Sequence, residues 1–282
     1  MTICISHSEA GVLNLLTSNV AVSRPGRLEG RCVLVVNAGR YDAARAGALT
    51  EAEMSLLFAR EGARVAIADA DESAAMEAVD RIRSHGGDAY AIRADLTLEA
   101  DIVWMMREAC KSFGGGLDGL VLNAASSGDA AHCHLDTQAW TRLFDLNVRG
   151  SMLCCRQALL HFRDGGSVVF TASMNGPGTG RERMAYDTAG AAIAGLMRNV
   201  AEDVGSRSIR ANLVYCGPQC EPSCHGPDAY DFLVQEGMAR GRRSAAAAIA
   251  NAVLFFLSDE SAGVTAQTLT VVPGRDPPRF GA

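Results

Sequence analysis

The stretch Leu56-Leu57-Phe58-Ala59-Arg60-Glu61-Gly62-Ala63-Arg64-Val65-Ala66-Ile67-Ala68-Asp69 decides the fold. Its first part closes a helical pattern running from Glu51 to Glu61. Its second part, Arg64 to Asp69, is an apolar run without polar alternation, as in a strand buried on both faces. The run ends on a carboxylate. In open α/β sheets, ligands sit at the carboxyl ends of strands, so Asp69 is a candidate ligand contact.

The same alternation continues on both sides. Cys32–Val36 reads as a strand ahead of this helix. Ser73–Ser84 (helix), Ala89–Arg93 (strand), Leu98–Phe113 (helix) and Leu120–Leu122 (strand) follow it. Gly114-Gly115-Gly116 is a turn before the fourth strand. Asp136–Phe162 is mostly helical, Ser167–Thr171 a strand, Ala185–Val204 a helix and Ile209–Val214 a strand. Ala245–Leu257 is a helix and Thr268–Val272 a last strand. Strands alternating with helices imply right-handed crossovers and a parallel sheet. The expectation is a doubly wound α/β sheet of the Rossmann type, about seven strands with helices on both faces. Residues 1–27 are expected to be an extension and 28–282 the domain.

Composition narrows the partners. The net charge is −6 and no basic block occurs, which argues against nucleic acid. No apolar run reaches the ~18 residues of a membrane span. No basic residue precedes the apolar Gly11–Leu16, which argues against a secretory signal. The nine cysteines show no disulfide-scaffold spacing, so a reducing cytoplasm is expected. Lysine occurs once, at Lys111.

The other strand ends add candidates. After strand one comes Asn37-Ala38-Gly39, then Arg40 to Leu49, a segment long and rich in β-carbons for a phosphate-cradling turn. Arg40 and Arg45 offer side chains to phosphates there; a solvated loop is the plainer reading. Asp69 suits the ribose 2′-hydroxyl of NAD and repels the 2′-phosphate of NADP. A helix N-terminal carboxylate with Asp71 beside it accounts for the spacing equally well. Ser173 and, thirteen positions on, Tyr186 can together hydrogen-bond a carbonyl or alcohol oxygen. By spacing alone, a capping serine and a packed tyrosine are the simpler reading.

Taken together, the residues resemble the short-chain dehydrogenase/reductase family from about Leu28 to Gly274. The resemblance rests on Leu56–Val65 with Asp69, Ala94-Asp95-Leu96, Asn123-Ala124-Ala125 and Phe144–Gly150. Ser173 with Tyr186, Ile209–Asn212, Cys216-Gly217-Pro218 and Leu254–Asp259 complete it. It implies that Tyr186 is the general acid/base, that Ser173 orients the substrate oxygen and that Asn147 holds a water relay. It further implies that Asp69 and Asp95 meet the adenosine half of NAD, that Gly39 belongs to the phosphate turn and that Asn123 steadies the sheet. The implied substrate is a small molecule bearing a carbonyl or hydroxyl. The implied assembly is a homo- or hetero-oligomer built on the helices within Asp136–Phe162 and Ala185–Val204.

The departures matter as much. The family's Tyr-x-x-x-Lys reads Tyr186-Asp187-Thr188-Ala189-Gly190. That lysine lowers the phenol pKa from about 10, at ~1.4 kcal/mol per unit; without it Tyr186 is expected to stay a neutral phenol near pH 7. Lys111, before strand four, enters from the opposite edge of the sheet, and arginines such as Arg181 or Arg183 do not readily share a proton. In the glycine turn, Asn37 replaces the first glycine, Leu49 and Glu51 fall where the last two belong, and Gly47 can rebuild a turn. His132-Cys133-His134 and Cys216, Cys220, Cys224 and His225 read as cleft-lining residues, with no metal expected. Three readings stay open: a degenerate subunit partnering an active dehydrogenase, a cofactor-independent isomerase, dehydratase or cyclase, and an atypical NAD-linked oxidoreductase.

Overall fold

The computed structural model describes residues 26–37, 47–123, 137–173, 184–216 and 245–271. Strands β1 (Cys32–Asn37), β2 (Arg64–Asp69), β3 (Ala89–Arg93), β4 (Leu117–Asn123), β5 (Phe162–Ser173), β6 (Arg210–Cys216) and β7 (Thr268–Val271) form one sheet. Their order is β3-β2-β1-β4-β5-β6-β7 and every pairing is parallel. The expected doubly wound sheet is therefore present. The chain reverses its winding direction between β1 and β4, which opens a crevice at their carboxyl ends.

Alternate side chains of each strand feed two cores. Val33 and Val35 of β1 pack with Met54 and Phe58 of α1 (Gly47–Arg60), Val79 and Ile82 of α2 (Glu72–Ser84) and Ile249 and Val253 of α7 (Ala245–Leu257). Leu34 and Val36 face the other way, toward Met105 of α3 (Glu99–Phe113), Leu153 of α5 (Gly150–Ala158) and Met197 of α6 (Met184–Val204). Burial on both sides explains why the strands read as unbroken apolar runs. The turn inside the deciding stretch needs Gly62, whose φ is +91°. A β-carbon there would lie 2.8 Å from the Glu29 Cα, so both backbone conformation and space require glycine.

The long helix expected over Asp136–Phe162 is divided. Helix α4 (Thr137–Phe144) passes into a π turn, Asp145–Arg149, before α5. Phe162 is not helical; it opens β5 opposite Leu117. Arg207 ties this junction together. Its guanidinium donates to the carbonyls of Leu159 (2.8 Å) and Phe162 (2.5 Å) and to Asp164 (3.0 Å). The Leu159 carbonyl, at the helix end, finds there the donor it lacks within the helix. Helix α1 starts at Gly47, four residues before the expected Glu51.

The amino edge is held by arginines. Arg210 donates to the carbonyls of Phe256 (2.7 Å) and Ser258 (3.1 Å) and to Ser261 Oγ (2.6 Å), closing the end of α7. Arg163 and the Cys32 amide share Asp118 Oδ2, at 2.6 and 2.8 Å. Among the described residues no helix is long and apolar enough to cross a membrane.

Candidate active site

The carboxyl ends of the strands carry most of the candidates. Asp69 closes β2, buried, and its Oδ1 accepts from the Asp71 amide at 2.8 Å. Asp71 in turn caps α2, accepting from the amides of Ser73 (3.0 Å) and Ala74 (3.3 Å). One acid thus turns the chain and the other starts the helix, as an N-cap does. Of the roles considered for this pair, the helix-cap role falls to Asp71.

Asp95 braces its own loop. Its Oδ1 accepts from Thr97 N (2.8 Å) and Thr97 Oγ1 (2.7 Å), while its amide donates to Asp101 (3.1 Å). This loop presses on the π turn. Arg149 donates to the Thr97 carbonyl at 3.2 Å, and a β-carbon on Gly150 would lie 3.0 Å from the Leu96 carbonyl oxygen. The Asp95 loop and the π turn that carries Asn147 are therefore in direct contact.

Asn147 sits inside the π turn, 2% exposed. The Gly150 amide bonds to the Asp145 carbonyl, five residues back, which widens the helix. The Asn147 side-chain amide donates to the Leu143 carbonyl at 3.0 Å, and its Oδ1 is buried with no partner. Tyr186, near the start of α6, is 5% exposed and packs with Leu143, Ala185 and Ala189. Trp140, Phe144 and Val148 flank the same cluster, with Trp140 and Phe144 stacked 4.8 Å apart. The structure thus brings the neighbours of Asn147 and the ring of Tyr186 into one packing unit. Ser173 ends β5, its backbone opposite Cys216 on β6; its side chain lies outside the described residues.

Gly190 follows Tyr186 by one helical turn and is buried. Its carbonyl accepts the Tyr215 phenol at 3.0 Å. Burial pushes the Tyr215 phenol pKa up, and Arg198 acts in the opposite direction. Sequence reading missed Tyr215, having ended strand six at Val214; a hydroxyl-bearing residue at a strand's carboxyl end was the available signal. Lys111 is in the last turn of α3, 77% exposed and 3.5 Å from Glu108. That turn leads into the amino end of β4, so this lysine is at the opposite edge from Tyr186.

Asn123 closes β4, and its Oδ1 accepts the Thr171 hydroxyl. Its expected bracing role is compatible with that bond. Gly39, Arg40, Arg45, Arg181, Arg183 and the His132–His134 and Cys220–His225 groups lie outside the described residues. Among the described residues no three His, Cys, Asp or Glu side chains gather as a metal site would require. Cys216 is described, and burial pushes its thiol pKa up to about 12. It is expected to resist iodoacetamide at pH 8 in the folded protein and to react after urea denaturation. Peptide mass mapping checks this; labelling of folded Cys216 at the rate of a free thiol overturns it.

A family model described as enoyl-(acyl carrier protein) reductase matches residues 52–275. The 2-(S)-hydroxypropyl-CoM dehydrogenase 3 of Xanthobacter autotrophicus is 33% identical over 224 residues, covering 76% of this chain and 88% of that protein. The crystal structure of a hydroxysteroid dehydrogenase from Escherichia coli superposes with a TM-score of 0.75 at 29% identity, covering 88% of this chain and 98% of that one. The structure of 7α-hydroxysteroid dehydrogenase complexed with NADH and 7-oxo glycochenodeoxycholic acid gives a TM-score of 0.74 at 29% identity, covering 88% and 95%.

Proposed function

The chain belongs to the short-chain dehydrogenase/reductase family, a family of oxidoreductases, and from that premise we propose that it is a catalytically impaired subunit partnering a lysine-bearing dehydrogenase of the same fold. The observation that carries this reading is Gly190. It stands one turn beyond Tyr186 without a side chain, and the chain's one lysine is at the far edge of the sheet. The proposed substrate class is a small molecule with a hydroxyl or carbonyl, as the names of the relatives suggest.

When bound, NAD supplies hydride acceptor or donor chemistry at its nicotinamide. Asp69 fits the adenosine ribose of such a cofactor. Gly190 does not fit the nicotinamide ribose, because glycine offers no cationic side chain to bond its hydroxyls, and no hydride step is assigned to this chain. The remaining groups hold a substrate oxygen: Tyr186 and Ser173 donate hydrogen bonds to it, and Asn147 orients water. Exposed apolar side chains on the expected interface helices and the segment beyond α5 support assembly: Met152, Leu160 and Met184, at 39%, 73% and 45% exposure. The free thiols of Cys32, Cys110, Cys154, Cys155 and Cys216 support a reducing, cytoplasmic setting.

A second reading, a cofactor-independent acid–base enzyme, draws on the buried Tyr186 and on the unpartnered Oδ1 of Asn147. The test is purification from native cells followed by native mass spectrometry and turnover assays with NAD(H) and NADP(H) on hydroxy and keto compounds. A mixed complex with a Tyr-x-x-x-Lys subunit, inactive without it, is expected. A homo-oligomer that turns over alone with cofactor overturns the subunit reading in favour of an atypical NAD-linked enzyme; turnover without cofactor favours the second reading.

A further inference from the structure

Helix α7 has no charged residue, and its one polar side chain is Asn251. The Asn251 amide turns back onto the Ala247 carbonyl, at 2.6 Å. A surface helix normally sets a charged face against its apolar stripe, and a helix apolar all round is a covered one. The covering of α7 is one-sided. Ile249, Val253, Leu254 and Phe256 are buried in the core shared with β1 and α1, while Ala248 and Phe255 stay partly open. Helices α2, α3 and α6 instead carry exposed charges, such as Asp80, Arg107 and Glu202. Beside α7 runs β7, the last strand of the sheet, which pairs on one side only, with β6. Its register sets Leu269 opposite Val214 and Val271 opposite Cys216, so both lie on the α7 face. Leu269 is 39% exposed. The α7 flank and the free edge of β7 thus form one apolar strip.

The chain itself carries a matching segment. Residues 11–22 include no charged side chain, and Val12, Leu13, Leu15 and Leu16 are apolar. Burying this segment would therefore bury no charge. It lies outside the described residues, which start at Gly26. A β-carbon on Gly26 would lie 2.1 Å from the Glu61 carbonyl oxygen, so the chain enters hard against the end of α1. Arg27 then reaches Glu260, three residues past the end of α7, at 3.8 Å. The segment is thus tethered beside α7. The ten residues from Leu16 to Gly26 span up to about 33 Å when extended. Helix α7, with 13 residues, is about 20 Å long. Its whole length is within reach.

We propose that residues 11–22 of the same chain dock on this strip and cover the α7 flank and the free edge of β7. A second copy of the chain is the competing occupant. The tether favours the segment, because a short linker holds its apolar residues at about millimolar local concentration. Covering β7 also withholds an unpaired strand edge from other chains. The proposal is independent of the subunit reading, which places assembly on other helices. Its readout is a cross-link and not turnover, so the two fail separately.

Photo-cross-linking in the full chain tests this, with p-benzoylphenylalanine in place of Leu269. Products are separated under denaturing conditions and mapped as peptides. The expected product keeps the mass of one chain and joins position 269 to a peptide from residues 11–22. Leu13→Asp combined with Leu16→Asp is expected to cut its yield at least about tenfold, since burying one leucine shifts an equilibrium by that much. A product of double mass assigns the strip to a second copy and overturns the proposal. So does a single-chain product that omits residues 11–22, the absence of any product, or a yield untouched by the aspartate pair. If the position 269 variant fails to fold, hydrogen exchange on the chain with Leu269 intact decides. The aspartate pair is then expected to speed exchange of the outward β7 amides at least about tenfold. Equal exchange overturns the proposal.

Discussion

Replacing Arg210 with methionine is expected to lower the folding free energy by about 3 kcal/mol, because buried acceptors lose their donor at roughly 1–3 kcal/mol each. The guanidinium reaches the Phe256 and Ser258 carbonyls and Ser261 Oγ. Some of these acceptors keep other donors, since Ser167 Oγ also bonds the Phe256 carbonyl at 2.7 Å and Ser261 Oγ the Ser258 carbonyl at 3.1 Å. That redundancy keeps the expected loss below the full sum. Burial, with Arg31 nearby, pulls the Arg210 pKa below its usual value, so the site already opposes the charge it holds. Methionine removes that opposition but cannot donate. Arg210→Lys keeps the charge with fewer directed donors and is expected to lose about half as much. Urea unfolding at constant m measures both. A loss below about 1 kcal/mol for the methionine variant shows that the helix end does not depend on this arginine.

The second large effect concerns the proton machinery. Gly190→Lys is expected to move one tyrosine titration down by about one to three pH units, the range produced by an opposite charge within hydrogen-bonding reach. Each unit corresponds to about 1.4 kcal/mol of preference for the phenolate. The sign follows from charge: a cation stabilises tyrosinate, so the proton leaves at lower pH. Residues one turn apart on a helix face one another, which places the new ammonium beside Tyr186. Absorbance at 295 nm, with Tyr186→Phe added to the lysine variant as a control, identifies the group. If the lysine variant titrates like the parent, position 190 is not the gap in this site.

Much of this was legible in the chain itself. Runs such as Arg64–Asp69 are apolar without alternation because both faces of the sheet are covered, and that pattern survives without coordinates. The vacancy at position 190 was equally plain, since a missing lysine is a fact of sequence. The π turn was not legible. A five-residue hydrogen-bond step leaves the apolar spacing of its neighbours nearly helical, so Asp136–Phe162 read as one element. Phe162 followed the same apolar rhythm, and its place in β5 rests on pairing with Leu117, forty-five residues earlier. The pairing of Tyr215 with Gly190 is likewise a relation between distant segments and leaves no periodic trace.

Lys111 has a practical value of its own. It is well exposed on the last turn of α3, at the edge opposite the candidate site. Apart from the chain's amino terminus, it is the one primary amine that an acylating reagent will find. A dye or a surface tether attached there would have a single defined address on the body of the protein. The molecule would then be held by its base, with the crevice between β1 and β4 turned outward to whatever is passed over it.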